Sequence, residues 1–142
     1  MVYLGYVGDG RFAGLSAPGT SAKALAAALT DPDCLMVNRN AGSGTRILLD
    51  RLLEGRRPAG YWSQPKSHNA VAVAVAQGRA DWGVTIEPVA RRAGLGFIPL
   101  QQEQYDFVIP TARAERRAVV AFRTILADPA TRAALTRLGM TP

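Results

Sequence analysis

Two residue types that build cross-linked or reactive sites are nearly missing from this chain of 142 residues: it holds one cysteine, Cys34, and one histidine, His68. A lone cysteine excludes an internal disulfide framework. It lies in an apolar run, Cys34-Leu35-Met36-Val37, that reads as buried strand. One histidine, one cysteine and no clustered carboxylates leave nothing from which to assemble a metal site, so no metal and no cofactor is predicted. The same scarcity argues against turnover. Ser43 has no histidine–carboxylate pair in a shared motif, and the sequence assigns no catalytic residue. Lysine is scarce too: only Lys23 and Lys66 occur, and none follows Gly44, which excludes a Walker A loop. A dinucleotide fingerprint fails as well, because Gly42-x-Gly44 runs on into Thr45, Arg46 and Ile47 with no third glycine. No apolar run approaches membrane-spanning length, and the start, MVYLGYVGDGRF, lacks a basic region followed by a long apolar one. The expectation is a cytoplasmic chain with no membrane partner.

What is present fits one folded domain. Hydrophobic residues make up 48% of the chain, well above disordered composition. The formal net charge is +6, almost all of it from arginine. Much of that excess, like the excess of alanine, is what genome composition alone would give. A basic balance suits an anionic ligand. The arginines are scattered and do not interleave with aromatics, so a nucleic-acid platform is not predicted.

Strand and helix alternate along the chain. Residues 2–7 read as a strand, 12–16 as a second extended piece, and "AKALAAAL" as a helix capped by Thr20 or Ser21 and stopped by Asp31-Pro32-Asp33. Residues 34–38 read as a buried strand. In "TRILLDRLLEG", Leu48, Leu49, Leu52 and Leu53 share one helical face, Arg51 and Glu54 face water, and Gly55 ends the helix. "NAVAVAVAQG" alternates like a strand, but alanine is a poor strand former, and Asn69 and Gly78 are start and stop signals, so a helix buried against a sheet is predicted. "ADWGVTI" is a strand with Trp82 in the core, "EPVARRAG" a short helix with Glu87 as its cap, and "GFIPL" and "YDFVIP" two strands separated by "QQEQ". Two helices follow, the second starting at Asp128-Pro129. This order predicts an α/β fold with a mostly parallel sheet flanked by helices.

Between the strand at 34–38 and the following helix lies Arg39-Asn40-Ala41-Gly42-Ser43-Gly44-Thr45-Arg46. Small residues at a helix N-terminus let an anion approach unpaired backbone N–H groups. Ser43 and Thr45 add hydroxyls, and Arg39 and Arg46 add charge and forked donors. The plainer reading is a tight turn with Thr45 as N-cap, and Gly-Ser-Gly-Thr by itself does not decide between them.

Longer strings are more specific. The pattern Arg39-x-x-Gly42-Ser43-Gly44-Thr45 resembles the oxyanion-binding turn of type 2 periplasmic-binding-protein lobes. "VNRNAGSGTRILLDRLL", "SHNAVAVAVAQGRADWGVTIEPVARRAGLGFIPL" and "QYDFVIP" resemble one branch of these, the cytoplasmic domain fused to molybdopterin-biosynthesis proteins and to helix-turn-helix regulators. The resemblance covers roughly residues 12–110 and implies one lobe, mainly the second. It divides the chain into a crossover at 1–30, an oxyanion-binding lobe at 31–110 and C-terminal helices at 111–142. It also puts Ser67 and His68 on the same cleft edge, where His68 is equally readable as a capping or packing residue. Thr85 ends a strand at its carboxyl edge, where ligands bind in open α/β sheets. Tyr105 is placed on a return strand near the hinge, as a buried structural residue or a contact.

Phosphate-binding members carry an aspartate just before Gly-Ser-Gly-Thr, where this chain has Ala41. Without that acceptor, a fully deprotonated dianion is expected: molybdate or tungstate first, with sulfate and phosphate behind. Most of the first lobe is expected to be missing. The rival expectation is therefore an interaction module that covers the open face by homodimerising or by docking a partner that supplies the missing lobe.

Overall fold

The computed structural model describes residues 2–8 and 21–142, with side chains from residue 26 onward. The expected extended piece at 12–16 and a cap at Thr20 lie outside the described residues. The chain divides into two compact units, Tyr3–Gln101, and Gln102–Pro142 together with Met1–Val2.

Strands β1 (Val2–Gly8), β2 (Met36–Val37), β3 (Trp82–Ile86) and β4 (Gly96–Glu103) form one sheet in the order β2-β3-β1-β4. β2 and β3 run parallel, with Met36 opposite Trp82 and Val37 opposite Gly83. β1 runs antiparallel to β3, Leu4 opposite Ile86 and Gly8 opposite Trp82. The α/β expectation holds, with the parallel character at the β2–β3 pair and β1 inserted against it. β4 is an edge strand, which tolerates the missing N–H of the exposed Pro99.

Strand alternation sorts the core onto the two faces of this sheet. Met36, Trp82 and Val84 pack with Ala28 of α1 (Ser21–Thr30) and with Leu49 and Leu53 of α2 (Gly44–Leu53). Leu48 and Leu52 lie at the margin of this cluster, as their helical spacing predicted, and Arg51 and Glu54 are exposed. On the other face Val37 packs with Val71 and Val75 of α3 (His68–Ala76) and with Ala90 of α4 (Glu87–Arg92). The alternating Ala/Val stretch is thus a helix against the sheet, as expected. Ser67, not Asn69, caps it, its hydroxyl accepting from the N–H of Ala70 at 3.1 Å. Its small side chains allow close approach at Gly83, where an added Cβ would lie 2.8 Å from the Val37 carbonyl oxygen and 2.8 Å from Val71 Cγ1. Glu87 is the first residue of α4 rather than its cap, and its carboxylate accepts from Arg91 Nε at 2.9 Å.

The second unit contains a 3-10 turn at Thr111–Arg113 and two helices packed together, α5 (Arg117–Ala127) and α6 (Pro129–Arg137). Asp128 caps α6 by accepting from the N–H of Thr131 at 2.8 Å, at the Asp-Pro step the sequence marked. The strand expected at "YDFVIP" does not form. β4 instead continues through Gln101, Gln102 and Glu103, and residues 104–110 are irregular. Strand extent follows the backbone ladder, and among the described residues none pairs with 104–110, whatever their aromatic and β-branched composition.

Gly83→Ala should destabilise the protein by about 1–3 kcal/mol, the usual cost of forcing atoms into a packed interior. Urea unfolding monitored by tryptophan fluorescence measures it.

Candidate functional site

The segment after β2 is held from both sides before any ligand is considered. The backbone N–H groups of Met36, Asn38 and Asn40 donate to the carbonyls of Ala59 (2.8 Å), Ser63 (2.9 Å) and Pro65 (3.2 Å). The loop joining α2 to α3 therefore runs alongside β2 and its extension. Asn38, fully buried, donates from Nδ2 to the Tyr61 carbonyl at 3.1 Å and accepts from the N–H of Arg39 at 2.8 Å.

The Gly-Ser-Gly-Thr turn then opens α2. Gly42 takes φ +82°, a conformation that side-chain-bearing residues avoid. Ser43, not Thr45, is the N-cap: its Oγ accepts from the N–H of Arg46 at 3.2 Å and donates to the Asn40 carbonyl at 3.0 Å. Gly44 and Thr45 follow as the first helical residues, whose N–H groups have no acceptor within the helix. Thr45 is buried, at 3% exposure. Through the Asn40–Pro65 hydrogen bond this turn lies beside the one that opens α3, where Ser67 is the cap and His68 the first helical residue.

Arg39 links the two turns. Its Nη1 lies 3.1 Å from His68 Nδ1, and its Nη2 donates to the Lys66 carbonyl at 3.5 Å. Because a guanidinium only donates, Nδ1 must be the acceptor, and the neutral ring carries its proton on Nε2. Burial, helped by the charge of Arg39, lowers the His68 pKa from the ordinary 6.5 to about 4. Thr85, fully buried at the carboxyl end of β3, donates from Oγ1 to the His68 carbonyl at 3.2 Å and fixes the start of α3 against the sheet.

Arg46 has a different task from the one its position suggested. Its Nε donates to both carboxylate oxygens of Asp50 at 2.8 and 2.9 Å, Nη1 donates to the Arg39 carbonyl at 3.2 Å, and Nη2 donates to the Tyr61 hydroxyl. That hydroxyl donates in turn to Asp50 Oδ1 at 2.9 Å, and the guanidinium carbon lies 4.5 Å from the Tyr61 ring centroid. Burial works against the charge, but the hydrogen bonds to Asp50 and Tyr61 outweigh it and raise the pKa. Arg46 supports the backbone of Arg39 from behind, its charge answered by Asp50.

Of the expected residues, Arg39, Gly42, Ser43, Gly44, Thr45, Ser67, His68 and Thr85 are brought into these adjoining turns. Tyr105 belongs to the other unit, is 58% exposed rather than buried, and lies on no strand. Sequence reasoning missed Asn38, Asp50 and Tyr61. Asp50 was findable, because it stands four residues after Arg46 on one helix, the spacing of a helical ion pair. Tyr61 carries no local signal, since its partner is fifteen residues away. Among the described residues no three His, Cys, Asp or Glu side chains converge as a metal site, and no helix is long and apolar enough to cross a membrane.

A family model described as a PBP superfamily domain matches residues 14–127. The chain is 42% identical over 82 residues to the uncharacterized protein YvgK of Bacillus subtilis (strain 168), a match covering 54% of this chain and 27% of that protein. The match thus spans about a quarter of the length of that relative. The periplasmic binding protein XoxJ from Methylobacterium extorquens AM1 aligns over 99% of this chain and 67% of its own, at 18% identity and a TM-score of 0.49.

Tyr61→Phe should cost about 1–3 kcal/mol, because it removes the hydroxyl that joins Arg46 to Asp50; urea midpoints report it. For His68 the sign follows from linkage. The unfolded chain binds the proton near the ordinary value of 6.5 and the folded one only near 4, so stability falls as pH drops through that interval. Melting temperatures stepped across this range should show a steeper acid loss in the wild type than in His68→Gln.

Proposed function

We propose that this chain, which belongs to the PBP superfamily, binds a small, fully deprotonated tetrahedral oxyanion at the adjoining starts of α2 and α3. Molybdate or tungstate is the first choice, and the role is that of a cytoplasmic sensor or effector domain connected with molybdenum-cofactor formation. The observation that carries the reading is the convergence of two capped helix N-termini around the Arg39–His68 pair. Superfamily membership supports ligand binding in general. The choice of anion rests on donor chemistry and on the resemblance described above.

Everything around the site that meets a ligand as a polar group can donate. Backbone N–H groups at Gly44, Thr45, His68 and Asn69, the hydroxyls of Thr45 and Ser67, the Arg39 guanidinium and the Nε2–H of His68 all suit acceptor oxygens. The acceptor nitrogen of His68 already receives Arg39. Hydrogen phosphate brings a proton that needs an acceptor, and Ala41 supplies none, so sulfate-like and molybdate-like dianions are favoured over it. Binding without turnover is the proposed activity.

A second reading, a docking or dimerisation module, is favoured by one feature of the other unit. Phe107 and Phe122 meet edge to face at 4.9 Å, and Phe107, Val108, Val120 and Ile125 are 63%, 91%, 43% and 55% exposed. Apolar surface gathered in this way is a contact surface in many proteins.

Isothermal titration with molybdate, tungstate, sulfate and phosphate, on protein of measured oligomeric state, separates the two. The oxyanion reading expects saturable heat that is strongest for molybdate or tungstate, with a matching rise in melting temperature. Ser43→Ala combined with Thr45→Val should abolish that rise, at a baseline cost of about 1 kcal/mol for the lost cap. A tight dimer that binds none of the four anions would favour the second reading.

A further inference from the structure

Two basic side chains are hydrogen-bonded to each other beside the proposed anion position, an arrangement that holds only while one of them is neutral. Arg39 is 7% exposed and its Nη1 points at His68 Nδ1 from 3.1 Å. A proton at Nδ1 would set donor against donor and break that hydrogen bond. We propose that oxyanion binding here is coupled to uptake of one proton by His68, which releases Arg39 Nη1 from the imidazole to the anion. The inference rests on the oxyanion reading above and deepens it: the site binds the dianion together with a proton.

The step balances simply. The proton comes from solvent, an Nδ1–H bond forms, and the hydrogen bond lost is the one from Arg39 Nη1 to Nδ1. The anion then faces imidazolium and guanidinium, and its two negative charges offset the repulsion between them. The surroundings leave the anion as the agent of the change. α3 carries no other ionisable residue, and β2 and β3, which pack against it, carry none. On α4, also packed against it, Glu87 is engaged by Arg91, and Arg92 is exposed. Lys66, exposed in the preceding turn, contributes its carbonyl to Arg39. Among the described residues, burial first and the charge of Arg39 beside it keep the ring neutral in the free protein. Thr85 holds the His68 backbone at the start of α3.

The test is calorimetric titration with sulfate and with molybdate between about pH 5 and 8, in buffers of equal pH and different heats of ionisation. Sulfate stays deprotonated over this range and brings no proton of its own. Binding enthalpy should vary with buffer, with a slope that approaches one proton per anion toward the acid end. Affinity should rise by up to about tenfold for each pH unit of acidification. The single histidine gives an unambiguous second readout by proton NMR, its titration midpoint moving upward by about two pH units or more in saturating sulfate. His68→Gln, which can still accept from Arg39, should bind more weakly and with no buffer dependence. Binding with zero buffer dependence and an unmoved imidazole titration would overturn this inference and leave the oxyanion reading standing. No binding of either anion at any pH would overturn both.

Discussion

A buried guanidinium is costly unless each of its faces finds an acceptor, and Arg46 meets that demand by drawing three parts of the chain together. Asp50 comes from its own helix, Tyr61 from the loop after α2, and the Arg39 carbonyl from the end of β2. Removing any one partner leaves a charge or a polar group stranded at 8% exposure, so the cluster is fixed as a unit. Everything proposed for the site depends on it. The Arg39 backbone is held by Arg46, and the direction of its side chain follows from where that backbone sits.

The two arginines, seven residues apart, illustrate how context divides labour between identical side chains. Arg46 has a carboxylate partner and a phenol, and it acts as a strut. Arg39 turns toward a histidine, which can accept its hydrogen bond only while neutral. A structural arginine needs permanent acceptors. One that shares a donor with an imidazole keeps a contact that a proton can cancel, and that difference separates a support from a responsive element.

The helix starts serve the same geometry. Ser43 and Ser67 each cap with a side-chain oxygen and leave the first N–H groups of their helices without intrahelical acceptors. The hydrogen bond from Asn40 to Pro65 sets those two starts side by side. Close packing of α3 at Gly83 and the bond from Thr85 to the His68 carbonyl then fix one of them to the sheet.

The sequence by itself determined the features that depend on near neighbours. Leucine spacing gave the buried face of α2, small residues bounded by polar caps gave α3 as a helix, Asp128-Pro129 gave the start of α6, and the glycine-rich turn gave a helix N-terminus. Each of these is decided within a few residues by backbone sterics, capping and side-chain periodicity. Tertiary structure decided what distance along the chain conceals. The segment at 104–110 has strand-like composition and no ladder among the described residues, β1 runs against β3, and Arg46 turned inward once Tyr61 arrived from fifteen residues away. His68 is neutral for the same reason, because its burial and its closeness to Arg39 exist only after a strand end and a helix start have packed together. Local stereochemistry chooses the elements, but hydrogen-bond partners and desolvation are set by which elements meet, and no window of sequence contains that information.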